Sequence, residues 1–91
     1  MPATLSLPSV LAPLAGGKTL HEVAAGTVGG AVAELAGRFP QVAPRLRDDR
    51  GQPYAYVVYY LNDDDIRFAR GFDTPLADGD EIVVVPAIAG G

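Results

Sequence analysis

Only one stretch of the chain repeats its apolar residues at helical spacing, and this limits what the rest can build. Val28, Ala31, Val32, Leu35 and Phe39 fall on one face of a helix, and Thr27 stands where a side-chain oxygen can accept the first free backbone N–H groups. Pro40 ends the run. Gly29, Gly30 and Gly37 each lower the intrinsic helix propensity by about 1 kcal/mol relative to alanine. Packing against a sheet must supply the difference, and small residues allow a close approach. The other apolar segments have the period of strands. A single helix then covers one face of whatever sheet they form.

Residues 3–7 alternate, with Ala3, Leu5 and Leu7 on one side and Thr4 and Ser6 on the other. Pro8, Pro13 and Gly16-Gly17 punctuate residues 8–17 as a widened hairpin loop. A second extended segment spans 18–24, with Leu20 and Val23 as its apolar contributors. After the helix, a polar connection holds a short helical turn around 45–48 and a solvated loop at Asp48-Asp49-Arg50-Gly51. Residues 54–61 form the clearest strand, rich in aromatic and β-branched side chains and apolar on both faces, and are expected at the centre of the sheet. Residues 62–65 read as a turn in which Asn62 and Asp63 tolerate left-handed backbone angles, and 66–68 as a short return strand. Asp78-Gly79-Asp80 makes a tight turn into a last strand, 81–86.

The expected order is strand, strand, helix, strand, short strand, strand, an α+β arrangement of one mixed sheet covered on one face by one helix. It is the order of a β-grasp, or ubiquitin-like, fold, which other small α+β domains can share. A chain of 91 residues suits one such domain over 1–86, followed by a flexible C-terminal Gly-Gly tail over 87–91.

The net charge of −4, with no basic cluster, argues against nucleic acid as a partner. The absence of cysteine excludes disulfides, cysteine zinc sites, iron–sulfur clusters and thiol nucleophiles, and a single histidine excludes a histidine-rich metal site. No apolar run approaches the roughly 20 residues of a membrane helix, and residues 1–15 lack the features of a signal peptide, so a cytoplasmic protein is expected.

Local motifs assign no catalytic residue and no metal ligand. The carboxylates of Asp63, Asp64 and Asp65 point in different directions in a short turn and lack calcium-loop spacing. His21 has no second histidine or cysteine to join it and is expected at the surface. Gly16-Gly17-Lys18-Thr19 ends like a phosphate loop, but Ala12 stands where the earlier glycine is needed, and a strand comes next rather than a helix. Ser6 and Ser9 have no plausible base partner. The end of the chain remains, where Ala87, Ile88, Ala89, Gly90 and Gly91 continue the last strand. Two terminal residues without a Cβ can thread a narrow channel in extended form and present a carboxylate to a buried site in another protein.

The closing segment, Leu76-Ala77-Asp78-Gly79-Asp80-Glu81-Ile82-Val83-Val84-Val85-Pro86-Ala87-Ile88-Ala89-Gly90-Gly91, and the segment Tyr60-Leu61-Asn62-Asp63-Asp64-Asp65-Ile66-Arg67-Phe68 together resemble the ubiquitin-like sulfur carriers of the MoaD/ThiS family. The likeness runs over essentially the whole chain and is nearest to the cysteine-pathway branch. It implies a protein cosubstrate rather than an enzyme. A ubiquitin-activating-type adenylyltransferase/sulfurtransferase would use ATP to adenylate Gly91, and a sulfur donor would then leave a thiocarboxylate there. Gly90 would have to stay small, and Ala89 and Ile88 would belong to the inserted tail. The chain itself would bind no cofactor, and ATP or pyridoxal phosphate would belong to partner enzymes. The sulfur-accepting partner implied is a synthase of the cysteine or thiosugar type. The same likeness leaves open the small subunit of molybdopterin synthase, or a covalent modifier joined to lysines.

Strand alternation sends either Val57, Tyr59 and Leu61 or Tyr56, Val58 and Tyr60 away from the helix. The second set is the expected outward one, beside Val83 and Val85, with Phe68 and Phe72 rimming the same partner-binding surface.

Overall fold

The computed structural model describes residues 2–86. Strand β1 (Ala3–Ser6) pairs antiparallel with β2 (Leu20–Val23), Leu5 lying opposite His21. A connection containing the 3-10 segment Ser9–Leu14 joins them, and Gly16 and Gly17 both take positive φ, 69° and 81°, where it turns back into β2. Helix α1 (Val28–Arg38) comes next, its N-terminus capped as the sequence suggests, with Thr27 Oγ1 accepting from the Gly30 N–H at 3.0 Å. A four-residue helix α2 (Ala43–Leu46) leads to β3 (Val57–Leu61), the two-residue β4 (Asp64–Asp65) and β5 (Glu81–Pro86).

The sheet order is β2-β1-β5-β3-β4, with β5 parallel to β1 and antiparallel to β3. This mixed five-stranded sheet, with α1 against one face, is a β-grasp fold. Tyr59 stands opposite Val84, and Leu5 beside Ile82, so both neighbours of β5 point large apolar groups to the helix side. Leu5, Val28, Val32, Leu35, Tyr59, Ile82 and Val84 close the core. The Tyr59 hydroxyl donates to the Leu46 carbonyl at 2.6 Å, tying α2 beneath the sheet.

Four local expectations are corrected by tertiary contacts. The central strand is β5; β3 lies one place further out, and it begins at Val57 because the Val57 N–H donates to the Tyr54 carbonyl in a turn. The return strand is Asp64–Asp65 rather than 66–68, since the Asp65 carboxylate accepts the Arg67 N–H at 2.9 Å and caps a 3-10 turn at Ile66–Phe68. His21 is buried, not at the surface. Its position opposite Leu5 turns it inward, where it packs edge-on to Phe39 at 5.5 Å and its Nε2 donates to the Lys18 carbonyl at 2.8 Å. Leu20 correspondingly faces out, 56% exposed. Asn62 and Asp63 do take left-handed angles, φ 49° and 74°.

Candidate functional site

The strand that leads to the end of the chain is the central one, held by β1 on one side and β3 on the other. Pairing to β1 runs as far as Ser6 opposite Val83, and pairing to β3 as far as Val57 opposite Pro86. Pro86, the last described residue of the strand, has no N–H to offer the ladder. Ile88, Ala89, Gly90 and Gly91, expected as the inserted tail and reactive terminus, lie outside the described residues.

The turn before β5 sets where that strand begins. The Asp80 carboxylate accepts from the Ala77 N–H at 2.8 Å and from the Asn62 side-chain amide at 2.9 Å. These two bonds, the backbone one foremost, hold its carboxyl below the usual carboxylate range. The Asn62 side-chain oxygen in turn accepts the Glu81 N–H at 3.0 Å. The β3–β4 turn and the start of β5 are thereby locked together.

The face of the sheet opposite α1 is open, and its side chains form rows across the strands. Tyr60, Val83, Ser6 and Leu20 stand side by side from β3 to β2, and Val58 pairs with Val85 in the next row toward Pro86. In the opposite direction lies an acidic row, Glu81, Thr4 and Glu22. An apolar band therefore runs between the acidic row and the end of β5. A shallow depression of about 280 Å³ opens between Tyr60, Asp63 and Val83. Beside it Arg67 clasps Asp65 through Nε and a terminal nitrogen, at 3.0 and 2.7 Å to the same oxygen. The hydrogen bonds from Arg67 hold the Asp65 carboxyl below its ordinary range.

Val58 and Tyr60 are the outward residues of this set on β3, both half-buried, and Tyr56 is exposed but lies in the turn before the strand; Val83 is half-buried and Val85 exposed. Phe68 projects into solvent, 88% exposed, with the Arg67 guanidinium 6.0 Å from its ring. Phe72 departs from the expectation. In the 3-10 turn Gly71–Asp73 it points to the helix side, edge-on to the Tyr59 ring at 5.2 Å and against Gly29. It belongs to the core margin because Gly29 leaves it room. Sequence reasoning missed Val10, 71% exposed, and the outward role of Leu20, which alternation with the inward His21 and Val23 could have revealed. A larger hollow of about 550 Å³ opens between β2 and the end of α1, where Arg38 is already engaged by Glu34 and by the Glu22 carbonyl.

This arrangement has close counterparts. The sulfur carrier protein CysO of Mycobacterium tuberculosis is 36% identical over 93 residues, spanning all of both chains. A chain of the crystal structure of the Amycolatopsis orientalis BexX/CysO complex superposes with a TM-score of 0.88 at 30% identity, covering 98% of this chain and 99% of that one. The crystal structure of M. tuberculosis CysO gives 0.87 at 33% identity, over 94% and 99% of the two chains. The ThiS family matches residues 5–91. With its β-grasp sheet, its open apolar face and full-length likeness to these carriers, the chain belongs to the ThiS family.

Proposed function

We propose that this protein is a sulfur carrier whose terminal glycine is the site of loading, and that it serves cysteine formation or the synthesis of a sulfur-containing product such as a thiosugar. The observation that carries the reading is the likeness over the full length of the chain to a protein named as a sulfur carrier. The Gly90-Gly91 ending is the chemical part of it.

A carboxylate resists attack by sulfur because its leaving group would be an oxide. Adenylation removes that barrier. A Gly91 carboxylate oxygen attacks the α-phosphorus of ATP and pyrophosphate leaves. A sulfur donor then attacks the acyl carbon, and AMP departs with the original oxygen, leaving a thiocarboxylate. The activating enzyme binds the ATP and lowers the barriers, and the carrier is its substrate. Ile88, Ala89 and Gly90 act as the inserted tail and Gly91 as its reactive end, with Gly90 and Gly91 narrow enough for a confined channel. The outward Tyr56, Val58, Tyr60, Val83 and Val85, with Phe68 at the margin, dock against partner enzymes. CysO of Amycolatopsis orientalis was crystallised in complex with BexX, and for this chain the further partner we propose is a sulfur-accepting synthase.

The test supplies the protein with its activating enzyme, ATP and sulfide, and monitors thiocarboxylate formation. Deleting Gly91, or adding one residue after it, is expected to abolish loading while leaving thermal unfolding unchanged. Undiminished loading of either variant would refute the assignment.

A further inference from the structure

Because β5 lies between β1 and β3, the segment after β1 and the segment before β3 flank its end. The first contributes Pro8 and Val10, the second Tyr54 and Tyr56, and Arg45 from α2 joins them. With Pro86 they line a groove of about 200 Å³. The two tyrosines meet edge to face at 5.4 Å, which stiffens one wall. Val10 and Tyr56 are 71% and 59% exposed. Arg45 is exposed and makes no ion pair among the described residues. On a chain of net charge −4, this is a cationic point set among apolar groups, unlike the acidic row on the sheet face.

We infer that this collar is the surface on which the activating enzyme seats, with an apolar rim against Val10 and Tyr56 and a carboxylate opposite Arg45. The inference rests on the sulfur-carrier reading and deepens it. Its basis is reach. Five residues beyond Pro86, fully extended, span only about 17 Å. Acyl-adenylate chemistry needs a site closed to water, so most of that length is used inside the enzyme. Whatever surrounds Pro86 must then lie against the enzyme's mouth. The open sheet face adds area, whereas the collar fixes where the tail enters. Adenylation is the step every later transfer depends on, so the activating enzyme, rather than a sulfur acceptor, is the partner that must recognise it.

The test uses ATP–pyrophosphate exchange catalysed by the activating enzyme, with the full-length carrier as varied substrate and with Arg45→Glu and Val10→Ser as variants. Both positions are exposed, so unchanged thermal unfolding is expected and is measured alongside. A KM for the carrier raised about tenfold by Arg45→Glu, with kcat within about twofold, supports the collar as a docking element. A smaller rise, about threefold, is expected for Val10→Ser, and added salt should narrow the gap for the arginine variant but not for the valine variant. Wild-type KM in both variants, with wild-type protein active, overturns the inference and leaves the carrier function standing. Normal exchange but slowed sulfur delivery to an acceptor also overturns it, assigning the collar to the acceptor instead. No exchange with the wild-type carrier refutes the function itself, and the inference falls with it.

Discussion

Replacing Gly29 by alanine tests the packing that removes Phe72 from the surface. A Cβ built there would lie 2.7 Å from the Phe72 Cβ and 3.0 Å from its carbonyl oxygen, so the 3-10 turn Gly71–Asp73 must shift. Overpacking of this kind costs about 1–3 kcal/mol. The gain in helix propensity on leaving glycine offsets up to about 1 kcal/mol of it. Gly37, on the same helix, supplies the control, because a Cβ there meets nothing within 4 Å. Gly37→Ala should therefore stabilise by up to about 1 kcal/mol, as the propensity difference alone requires. The gap between the two variants isolates the steric cost, about 1–3 kcal/mol, or at least about 4 °C in Tm for a domain of this size. Urea unfolding monitored by circular dichroism, with m unchanged, is the assay. Because the clash is with the Phe72 Cβ and carbonyl rather than with its ring, adding Phe72→Ala to Gly29→Ala should leave most of that gap in place when measured against Phe72→Ala alone. Equal stabilisation by Gly29→Ala and Gly37→Ala would refute the packing.

Tyr59→Phe should cost about 0.5–1.5 kcal/mol in unfolding free energy, because the Leu46 carbonyl loses the phenolic donor but keeps the Tyr54 N–H at 3.1 Å; a change within error would show that the second bond suffices. Burial also pushes the Tyr59 phenol well above its ordinary value, so the unfolded chain ionises first. Its contribution to stability should hold below pH ~10 and be lost above it, and Tyr59→Phe should flatten that alkaline decline in a pH series of urea midpoints. Asp80 and Asp65 behave oppositely. Their lowered values predict stability present above pH ~4 and lost as pH falls below it, and Asp80→Asn should weaken this acid dependence. On the open face, Val83→Asp should leave the fold intact yet weaken capture by an immobilised activating enzyme at least about tenfold, and unchanged capture would exclude the sheet face from docking.

Period and punctuation made much of this fold legible. The alternation of Ala3 and Leu5 with Thr4 and Ser6, the Thr27 cap and the helical spacing through Leu35 are local signals, and each corresponds to its element. The outward turn of Val58 and Tyr60 was accessible because parity along a strand leaves only two choices, whereas Tyr56 lies in the turn before β3. Pairing partners were less accessible. No local property of 54–61 reveals that β5 takes the central place, or that Tyr54 spends its carbonyl on a turn. His21 reads as polar, yet the register opposite Leu5 and a bond to a main-chain carbonyl satisfy it inside. Phe72 looks like a surface aromatic until Gly29, distant in sequence, provides its pocket. The collar around Pro86 was hidden for the same reason, since residues 8–10, 45 and 54–56 converge only once β1 and β3 flank β5.

The central claim is that sulfur resides on the main-chain terminus of a protein without a thiol. The most direct measurement is fragmentation mass spectrometry of the intact protein after incubation with its activating enzyme, ATP and sulfide. The account predicts one oxygen replaced by one sulfur, present in every C-terminal fragment down to Gly91 and absent from every N-terminal one. An unchanged mass, or a shift borne by any fragment that lacks Gly91, would contradict it.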